Sequence, residues 1–314
     1  MSDKTQGDPM RRGVVLRDEG NVVIVDIDGE AVPCVVRKKL RKRVKRGGKA
    51  VVVGDVVHVE QSGEGFAVAR VEERRSQVSR RDPSQPRREQ VIVANVDRVL
   101  VVAAARRPDL SHRLVDRFVV AAESRELDVA IVINKVDLDA DGARAEVVDV
   151  YRRIGYTVVE CSAETGAGIE ELRELLHDHT STMLGHSGVG KSSLANALDP
   201  DLSLRIGDVH GSTGRGMHTT TTVSLLRLPW GGYLVDTPGI REFGLWNLDP
   251  PDVRFYFREM APVLRPCRFN DCLHENEPGC AVKPAVESGE IVGWRYESYL
   301  KILETLRSDT PDHY

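Results

Sequence analysis

Three successive patterns of hydrophobic and polar positions divide the chain. Residues 12–75 carry short alternating or β-branched runs that are broken by turn dipeptides such as Glu19-Gly20 and Asp28-Gly29. About five short strands in this stretch predict a small β-barrel. Residues 76–90 are polar, contain proline and have few apolar residues, so we expect a linker there.

From residue 91 onward, apolar strand-like runs alternate with segments of helical spacing. Strands are predicted within 91–105 and at 129–133, 156–161 and 232–236, and helices at 111–126, 141–154, 168–179 and from Lys191. This alternation is typical of a parallel sheet with helices on both faces. It stops after residue 249, where a helix-rich tail surrounds a Cys/His cluster. We therefore expect a multidomain protein with a β-barrel over 1–85, an α/β domain over 86–248 and a mainly helical, metal-binding domain over 249–314.

Composition and charge narrow the class of protein. The 314 residues are 41% hydrophobic, and no apolar run approaches the ~20 residues of a membrane span. The N-terminus lacks an apolar signal-peptide core, and three of the five cysteines lie within 267–280, which favours a metal site in a reducing cytoplasm. Nine of the thirteen residues in 37–49 are basic, which indicates either a nucleic-acid contact or a solvated loop.

Residues 185–192 match the phosphate-loop pattern G-x-x-x-x-G-K-[ST], between a short apolar strand and an amphipathic helix start. In such a loop, backbone N–H groups cradle the phosphates, the lysine reaches the β- and γ-phosphates, and the next hydroxyl binds Mg²⁺. Lys191 and Ser192 are the predicted lysine and hydroxyl. The other residues expected at the nucleotide here are Gly185, His186, Ser187, Gly188, Val189, Gly190 and Ser193.

An acidic residue and a run of threonines add candidates for the phosphates and the magnesium ion. Asp236 ends an apolar strand and is expected to hold Mg²⁺, while the Gly239 N–H is expected to meet the γ-phosphate. Four threonines at 219–222 can supply a second hydroxyl ligand to the metal. We favour Thr220, with Thr219 and Thr221 as alternatives.

Two loops earlier in the chain carry a pattern that reads guanine. An NKVD tetrapeptide follows a strand, and its Asp137 can accept hydrogen bonds from guanine N1–H and from the exocyclic amine. Asn134 is expected to brace this loop, and Lys135 is expected to lie along the base. Ser162 and Ala163 follow the next strand, where a backbone N–H can read guanine O6. The two loops predict GTP, rather than ATP, as the substrate.

The order of these motifs is permuted. The usual GTPase order begins with the phosphate loop, but here the base-reading loops at 134 and 162 precede the phosphate loop at 185. The same sheet can be built if the original termini are joined and the chain is opened elsewhere. The segment around Asp236 then leads directly into the C-terminal domain, so we hypothesise that the nucleotide state moves that domain.

The combination of GHSGVGKSS, GMHTTTT, DTPGIREF and a C-x4-C-x-H-x5-C cluster resembles the RsgA (YjeQ) family, the small ribosomal subunit-dependent, circularly permuted GTPases. The resemblance covers nearly the whole chain and implies an OB-type barrel, a permuted GTPase domain and a zinc domain. It also implies a bacterial factor that acts late in maturation of the small ribosomal subunit and contacts its rRNA. Such a factor hydrolyses GTP to GDP and phosphate, with stimulation by the subunit. We expect a cytoplasmic monomer without a membrane partner.

The catalytic residues are expected in the phosphate loop and the threonine segment. Ile240 follows Gly239, where Ras-type enzymes carry the glutamine that orients the attacking water, and an isoleucine cannot do so. His218 is the candidate for that role, alongside Lys191 and Thr220 as catalytic groups. The alternatives are that His218 contacts RNA or packs within its loop.

A cluster near the C-terminus offers three thiolates and one imidazole, the donor set of a closed tetrahedral Zn²⁺ site. It consists of Cys267, Cys272, His274 and Cys280. One structural zinc per chain is expected, with buried free cysteines as the alternative. Cys34 and Cys161 lie in strand-like runs and are expected in the core.

Two other classes of function compete with the GTPase. One is an ATPase that uses the same phosphate loop, and Asp137 with the Ser162-Ala163 pair argues against it. The other is a nucleic-acid-binding module without catalysis, and the intact Lys191, Ser192 and Asp236 argue against that.

Overall fold

The computed structural model describes residues 10–42, 49–82, 85–202, 223–236, 245 and 248–308, except for the side chains of residues 42 and 80–89. The described residues fall into two compact units. The first unit takes its residues from 1–97, 176–182 and 206–242, and the second takes them from 98–175, 183–205 and 243–314. None of the helices in the described part of the chain is long and apolar enough to cross a membrane. The two boundaries between the three domains expected from the sequence stay a prediction.

The first unit contains a closed five-stranded barrel. Its strands are β1 (Arg11–Asp18), β2 (Val22–Ile27), β3 (Glu30–Val36), β4 (Val56–Ser62) and β5 (Gly65–Val71). The strand order is β1-β2-β3-β5-β4, and β4 pairs back to β1 to close the barrel. Neighbouring strands are antiparallel apart from the parallel pair of β3 and β5. The OB-type barrel is confirmed.

Alternating burial along these strands builds the barrel core, because successive side chains of a strand point to opposite faces. The core is mostly β-branched and includes Val15, Val23, Val25, Val57 and Val59. The basic run starts as a short helix, α1 (Lys38–Lys42), between β3 and β4, and its residues 43–48 lie outside the described residues.

Residues 77–82 and 85–94 form a pair of strands, so the expected linker over 76–90 was wrong. β6 (Gln77–Asp82) pairs antiparallel with β7 (Gln85–Ala94). Val78 and Val93 are cross-strand partners and both are fully buried, which anchors one end of the pair. The polar composition of the remainder suggested a loop, but its backbone pairs as two strands as far as Asp82 and Gln85.

The second unit holds three parallel strands with helices between them. β8 (Arg98–Ala104), β9 (Asp128–Asn134) and β10 (Thr157–Glu160) pair in the order β8-β9-β10. The helices are α2 (His112–Glu123), α3 (Ala145–Arg153), α4 (Ile169–Leu176) and α5 (Lys191–Leu198). The predicted parallel α/β arrangement is confirmed, because every predicted strand and helix of this unit is present close to its predicted position.

The apolar run at 91–105, which has the composition of buried strands, is divided between β7 and β8. Asn95 interrupts it with a left-handed φ of 55°. Its side-chain amide donates to the Gly54 carbonyl at 2.9 Å, and its Oδ1 accepts from the Arg75 N–H at 2.9 Å. Asparagine tolerates this backbone conformation, and its buried polar contacts end β7.

Three further strands, β11 (Thr180–Leu184), β12 (Ser224–Arg227) and β13 (Tyr233–Asp236), flank the phosphate loop and the threonine segment in sequence. In the first unit, Thr180–Thr182 pair in parallel with β13, and β13 pairs antiparallel with β12. β12 in turn pairs with β1 of the barrel, where Ser224 lies opposite Arg17. The predicted strand at 232–236 is confirmed.

The C-terminal part of the second unit is mainly helical, as predicted. It contains 3₁₀ turns at Pro250–Tyr256 and Ala261–Val263, followed by α6 (Val282–Glu287) and α7 (Gly293–Ser308). α7 packs against α2, where the rings of Trp294 and His112 have centroids 4.6 Å apart.

Candidate functional site

A glycine-rich loop connects β11 to α5. Gly190 has a φ of 96°, and a Cβ atom there would lie 2.3 Å from the Asn134 amide nitrogen. A Cβ atom on Gly185 would lie 2.2 Å from the Val102 carbonyl oxygen. Glycine at these two positions therefore lets the loop pass close to the ends of β8 and β9.

Lys191 lies across this loop at the start of α5. Its Nζ donates to the carbonyl oxygens of Gly185 and His186 at 2.7 and 3.0 Å. A helix N-terminus with a lysine on a glycine loop favours anions such as phosphate. Val189 is buried, whereas the other loop and helix-start residues His186, Ser187, Gly188, Ser192 and Ser193 are exposed.

Asn134 links three loops through one amide group. It is the last residue of β9 and only 1% exposed. Its Nδ2 donates to the Val189 carbonyl at 2.9 Å, and its Oδ1 accepts from the Ala163 N–H at 3.1 Å. The NKVD loop, the Ser162-Ala163 loop and the phosphate loop therefore meet at Asn134.

Lys135 makes a second connection to the phosphate loop. Its backbone is left-handed, with a φ of 62°, and its Nζ donates to the Gly188 carbonyl at 2.5 Å and to the Arg107 carbonyl. Asp137 lies in the following 3₁₀ turn, Val136–Leu138, and is exposed to solvent. The carboxylate is thus accessible on a loop whose start is held by Asn134 and Lys135.

The Ser162-Ala163 loop is closed by local hydrogen bonds. Ser162 is buried; its hydroxyl accepts from the Thr165 N–H at 3.1 Å, and its own N–H donates to the Ala167 carbonyl at 2.9 Å. The Ala163 N–H already donates to Asn134. This N–H can therefore read guanine O6 only by sharing or exchanging that bond.

Several residues outside the phosphate loop are expected near the γ-phosphate and magnesium. Of these, Asp236 lies in the described part of the chain. Asp236 is the last residue of β13, in the first unit, and is partly buried. The other predicted residues lie outside the described part of the chain, namely His218, Thr219, Thr220, Thr221, Gly239 and Ile240.

The predicted metal ligands come together in the C-terminal part of the chain. Their ligand atoms all lie within 4.8 Å of one another, in Cys267, Cys272, His274 and Cys280. The His274 Nδ1 lies 3.5 Å from the Cys280 Sγ and 3.7 Å from the Cys267 Sγ. Bonds of about 2.3 Å to sulfur and about 2.0 Å to nitrogen place the ligand atoms of a tetrahedral zinc about 3.6 Å apart. The donor set and its spacing fit a closed zinc site.

The surroundings of the cluster favour a bound cation. Burial raises the pKa of the Cys272 thiol to about 12 and lowers the pKa of the His274 imidazole. The imidazole is therefore available in its neutral, ligating form, whereas a buried thiolate needs a cation beside it. Cys34 and Cys161 are fully buried in their strand regions, which confirms their expected core positions.

Two residues that support the cluster were not identified from the sequence. The Glu277 carboxylate accepts backbone N–H bonds from Leu273 at 2.8 Å and from Glu275 at 2.9 Å. Arg254 donates to the Cys272 carbonyl at 2.9 Å. Glu277 could have been found from the sequence, because it is an acidic residue in the short loop between two metal ligands. Arg254 could not, because it is too distant in sequence from the ligands.

A parallel α/β core, a phosphate loop before a helix, and two base-reading loops that precede it in sequence define a circularly permuted P-loop GTPase. The RsgA GTPase family model matches residues 71–246. The chain belongs to the RsgA GTPase family.

Solved structures and curated relatives agree with this assignment. YjeQ from Thermotoga maritima is 37% identical, with a TM-score of 0.78 over 95% of this chain and 99% of that chain. YloQ, described as a circularly permuted GTPase, is 26% identical, with a TM-score of 0.77 over 99% of this chain and 100% of that chain. A relative from Chlorobaculum parvum, named small ribosomal subunit biogenesis GTPase RsgA, is 45% identical over 306 residues, or 94% of this chain and 97% of the relative.

Proposed function

We propose that this GTPase acts on the small ribosomal subunit late in its maturation, in the cytoplasm, and that hydrolysis of GTP to GDP and phosphate is coupled to its release. The observation that carries the proposal is the share of the chain that is similar to the relatives in sequence. Relatives named small ribosomal subunit biogenesis GTPase, from Chlorobaculum parvum and Thermotoga maritima, match 94% of the chain at 45% and 41% identity. Similarity that extends through the barrel and the tail favours a shared partner as well as a shared reaction.

In the proposed nucleotide site, each residue has a distinct task. Asp137 accepts hydrogen bonds from the guanine N1–H and exocyclic amine, which adenine cannot donate in that arrangement. Lys191 exchanges its carbonyl partners for the β- and γ-phosphates, where its charge stabilises the transition state. Ser192, Thr220 and Asp236 would hold Mg²⁺, which would neutralise charge on the phosphates. His218 is proposed to orient the attacking water.

We assign a structural zinc to the Cys267, Cys272, His274 and Cys280 cluster. Four protein ligands complete a tetrahedron and leave no position for a substrate or water. The zinc supplies folding free energy to the 267–280 loop rather than catalysis.

The basic run of the barrel is the proposed rRNA contact. Arg37, Lys38, Lys39 and Arg41 are exposed at its start. Neutralising phosphates releases counterions, so the affinity for the subunit should fall steeply as salt rises.

GTP turnover by the chain alone, with small subunits and with large subunits tests the proposal. Small subunits should raise the rate, large subunits should not, and Lys191→Ala should abolish the stimulated rate. Equal turnover of ATP and GTP would support the ATPase alternative. Subunit binding without any turnover would support the nucleic-acid-binding module.

A further inference from the structure

Besides the Asn134 amide and a backbone hydrogen bond from Val136 to Cys161, the two base-reading loops are connected by Arg144, the residue that precedes α3. The Arg144 guanidinium donates to Asp139 Oδ2 at 2.9 Å and to Glu160 Oε2 at 2.6 Å. Asp139 lies two residues after Asp137, and Glu160 ends β10 two residues before Ser162. One side chain therefore spans from the first base-reading loop to the second.

Asp139 is the buried centre of this connection. Its side chain is 0% exposed, whereas that of Arg144 is 24% exposed. Arg106, which follows β8, places its Nε 3.2 Å from Asp139 Oδ1, and the Arg144 backbone N–H donates to Oδ2 at 3.2 Å. A carboxylate removed from water must be paired, so Asp139 orders both arginines around the end of the loop.

Glu160 is also held from two directions. Arg152, on α3, places its guanidinium 3.1 Å from Glu160 Oε1, while Arg144 occupies Oε2. Both carboxylate oxygens are thus engaged, which fixes the side chain at the point where β10 leads into the Ser162 loop. Charge-assisted bonds of this kind are stronger than neutral hydrogen bonds, and they hold backbone segments in register.

We propose that Arg144 is a positioning residue for guanine recognition, because it sets the spacing between the Asp137 loop and the Ser162-Ala163 loop. The inference rests on the proposed guanine site. At the strand ends, the two loops are joined by the Asn134 amide and by a hydrogen bond from the Val136 N–H to the Cys161 carbonyl at 3.2 Å. The side-chain link through Arg144 adds to these two, so Asp137, which would read N1–H and the amine, and the Ala163 N–H, which would read O6 on the same edge of the base, keep a constant separation.

Loss of the Arg144 link should therefore reduce discrimination between bases rather than phosphate binding. Guanine and hypoxanthine share O6 and N1–H, but hypoxanthine lacks the exocyclic amine that Asp137 would accept from. When the loops are loosened, the O6 contact and both Asp137 hydrogen bonds cannot be made well at once. The advantage of guanine over hypoxanthine should then shrink.

The test measures the Kd of GDP and of IDP by calorimetry for the full chain, Arg144→Met and Glu160→Gln. In both variants the Kd of GDP should rise about tenfold and that of IDP only about threefold, so the preference for GDP should fall about threefold. Arg153→Met is the matched control, because Arg153 is an exposed arginine on α3, and it should change neither Kd.

Equal weakening of GDP and IDP would assign Arg144 to general stability and overturn the proposal, and so would an unchanged preference in a folded variant. If Arg144→Met does not fold, Glu160→Gln decides the question, since glutamine keeps the size of the side chain. A wild-type chain that binds IDP as tightly as GDP would instead contradict the proposed guanine site itself.

Discussion

The Arg295 guanidinium donates a hydrogen bond to the Asp116 carboxylate, and both side chains are buried. Asp116 belongs to α2 and Arg295 to α7, so the pair attaches the C-terminal helix to the α/β core of the same unit. Glu259 accepts two further bonds from Arg295, at 2.6 and 3.0 Å, and the Tyr151 hydroxyl donates to Asp116 at 2.5 Å. The attachment is therefore an ionic network as well as an apolar contact.

Replacement of Arg295 should be strongly destabilising. Arg295→Met leaves the Asp116 and Glu259 carboxylates buried without their cation, which should lower the free energy of unfolding by about 3–5 kcal/mol. Urea unfolding measures this loss. Lys301→Met is the control on the same helix, since Lys301 forms an exposed pair with Glu304 and should cost at most about 1 kcal/mol. Similar stabilities for the two variants would contradict the role of the network.

Removal of the Asn134 amide should weaken nucleotide binding. Asn134→Ala leaves the buried Val189 carbonyl and Ala163 N–H without their partner, at a cost of about 1–3 kcal/mol. The Kd of GDP should rise about 10- to 100-fold, as measured by calorimetry. Asn196→Ala, on the exposed face of α5, should bind GDP as the wild type does. An unchanged Kd in Asn134→Ala would show that the three loops hold together without it.

Loss of one thiolate should remove the zinc. Cys272→Ser replaces a buried sulfur ligand, so the purified variant should contain less than one zinc per chain and its 267–280 loop should exchange amide hydrogens faster. Zinc content and hydrogen exchange are the measurements. Cys34→Ser, in the barrel core, should keep one zinc per chain. A full zinc content in Cys272→Ser would contradict the four-ligand assignment.

Acidification should destabilise the contact between α2 and α7. Burial lowers the pKa of His112, with Asp116 and Glu297 opposing that shift and Arg113 and Arg295 adding to it. The folded state thus favours the neutral ring. Its stabilisation is complete above the unfolded pKa of about 6.5 and is lost as pH falls through the lower folded pKa.

Thermal unfolding between pH 7.5 and 5 tests this dependence. His112→Phe should lose stability less steeply with acidification than the wild type, because phenylalanine cannot take up a proton. His177→Phe, which replaces an exposed histidine after α4, should keep the wild-type slope. Parallel curves for His112→Phe and the wild type would exclude His112 as a source of the pH dependence.

The proposed role of His218 predicts a selective loss of turnover. His218→Ala should lower the rate stimulated by small subunits about 10²- to 10⁴-fold, the range typical of a lost proton-transfer or water-orienting group. The Kd of GDP should not change. His210→Ala, from the same part of the sequence, is the control and should turn over normally. Undiminished stimulated turnover in His218→Ala would remove it from the mechanism.

The parts of the fold that follow local rules could be predicted from the sequence. Alternating valines indicated the barrel, and the phosphate-loop spacing indicated the start of α5 at Lys191. The pairing of β6 with β7 was missed because residues 79–90 are polar, although Val78, Val93 and Ala94 at one end of the pair are buried. Local composition cannot distinguish such strands from a loop.

The ionic contacts could not be predicted for a different reason. Asp116 and Arg295 are 179 positions apart, and Arg144 and Glu160 are 16 apart. Charged residues are usually exposed, so nothing local distinguishes a buried arginine from a solvated one. Only the packing of α2 against α7, and of α3 beside β10, brings these partners together.

The pairing of β1 with β12 has a consequence for any shortened form of the chain. Arg17 and Ser224 lie opposite each other across this pair, and the Tyr233 hydroxyl donates to Asp26 in β2 at 2.9 Å. A protein that began after the barrel would lose the partner of Ser224 and the acceptor of the Tyr233 hydroxyl. The exposed edge of β12 would then be longer, and exposed strand edges are templates for self-association.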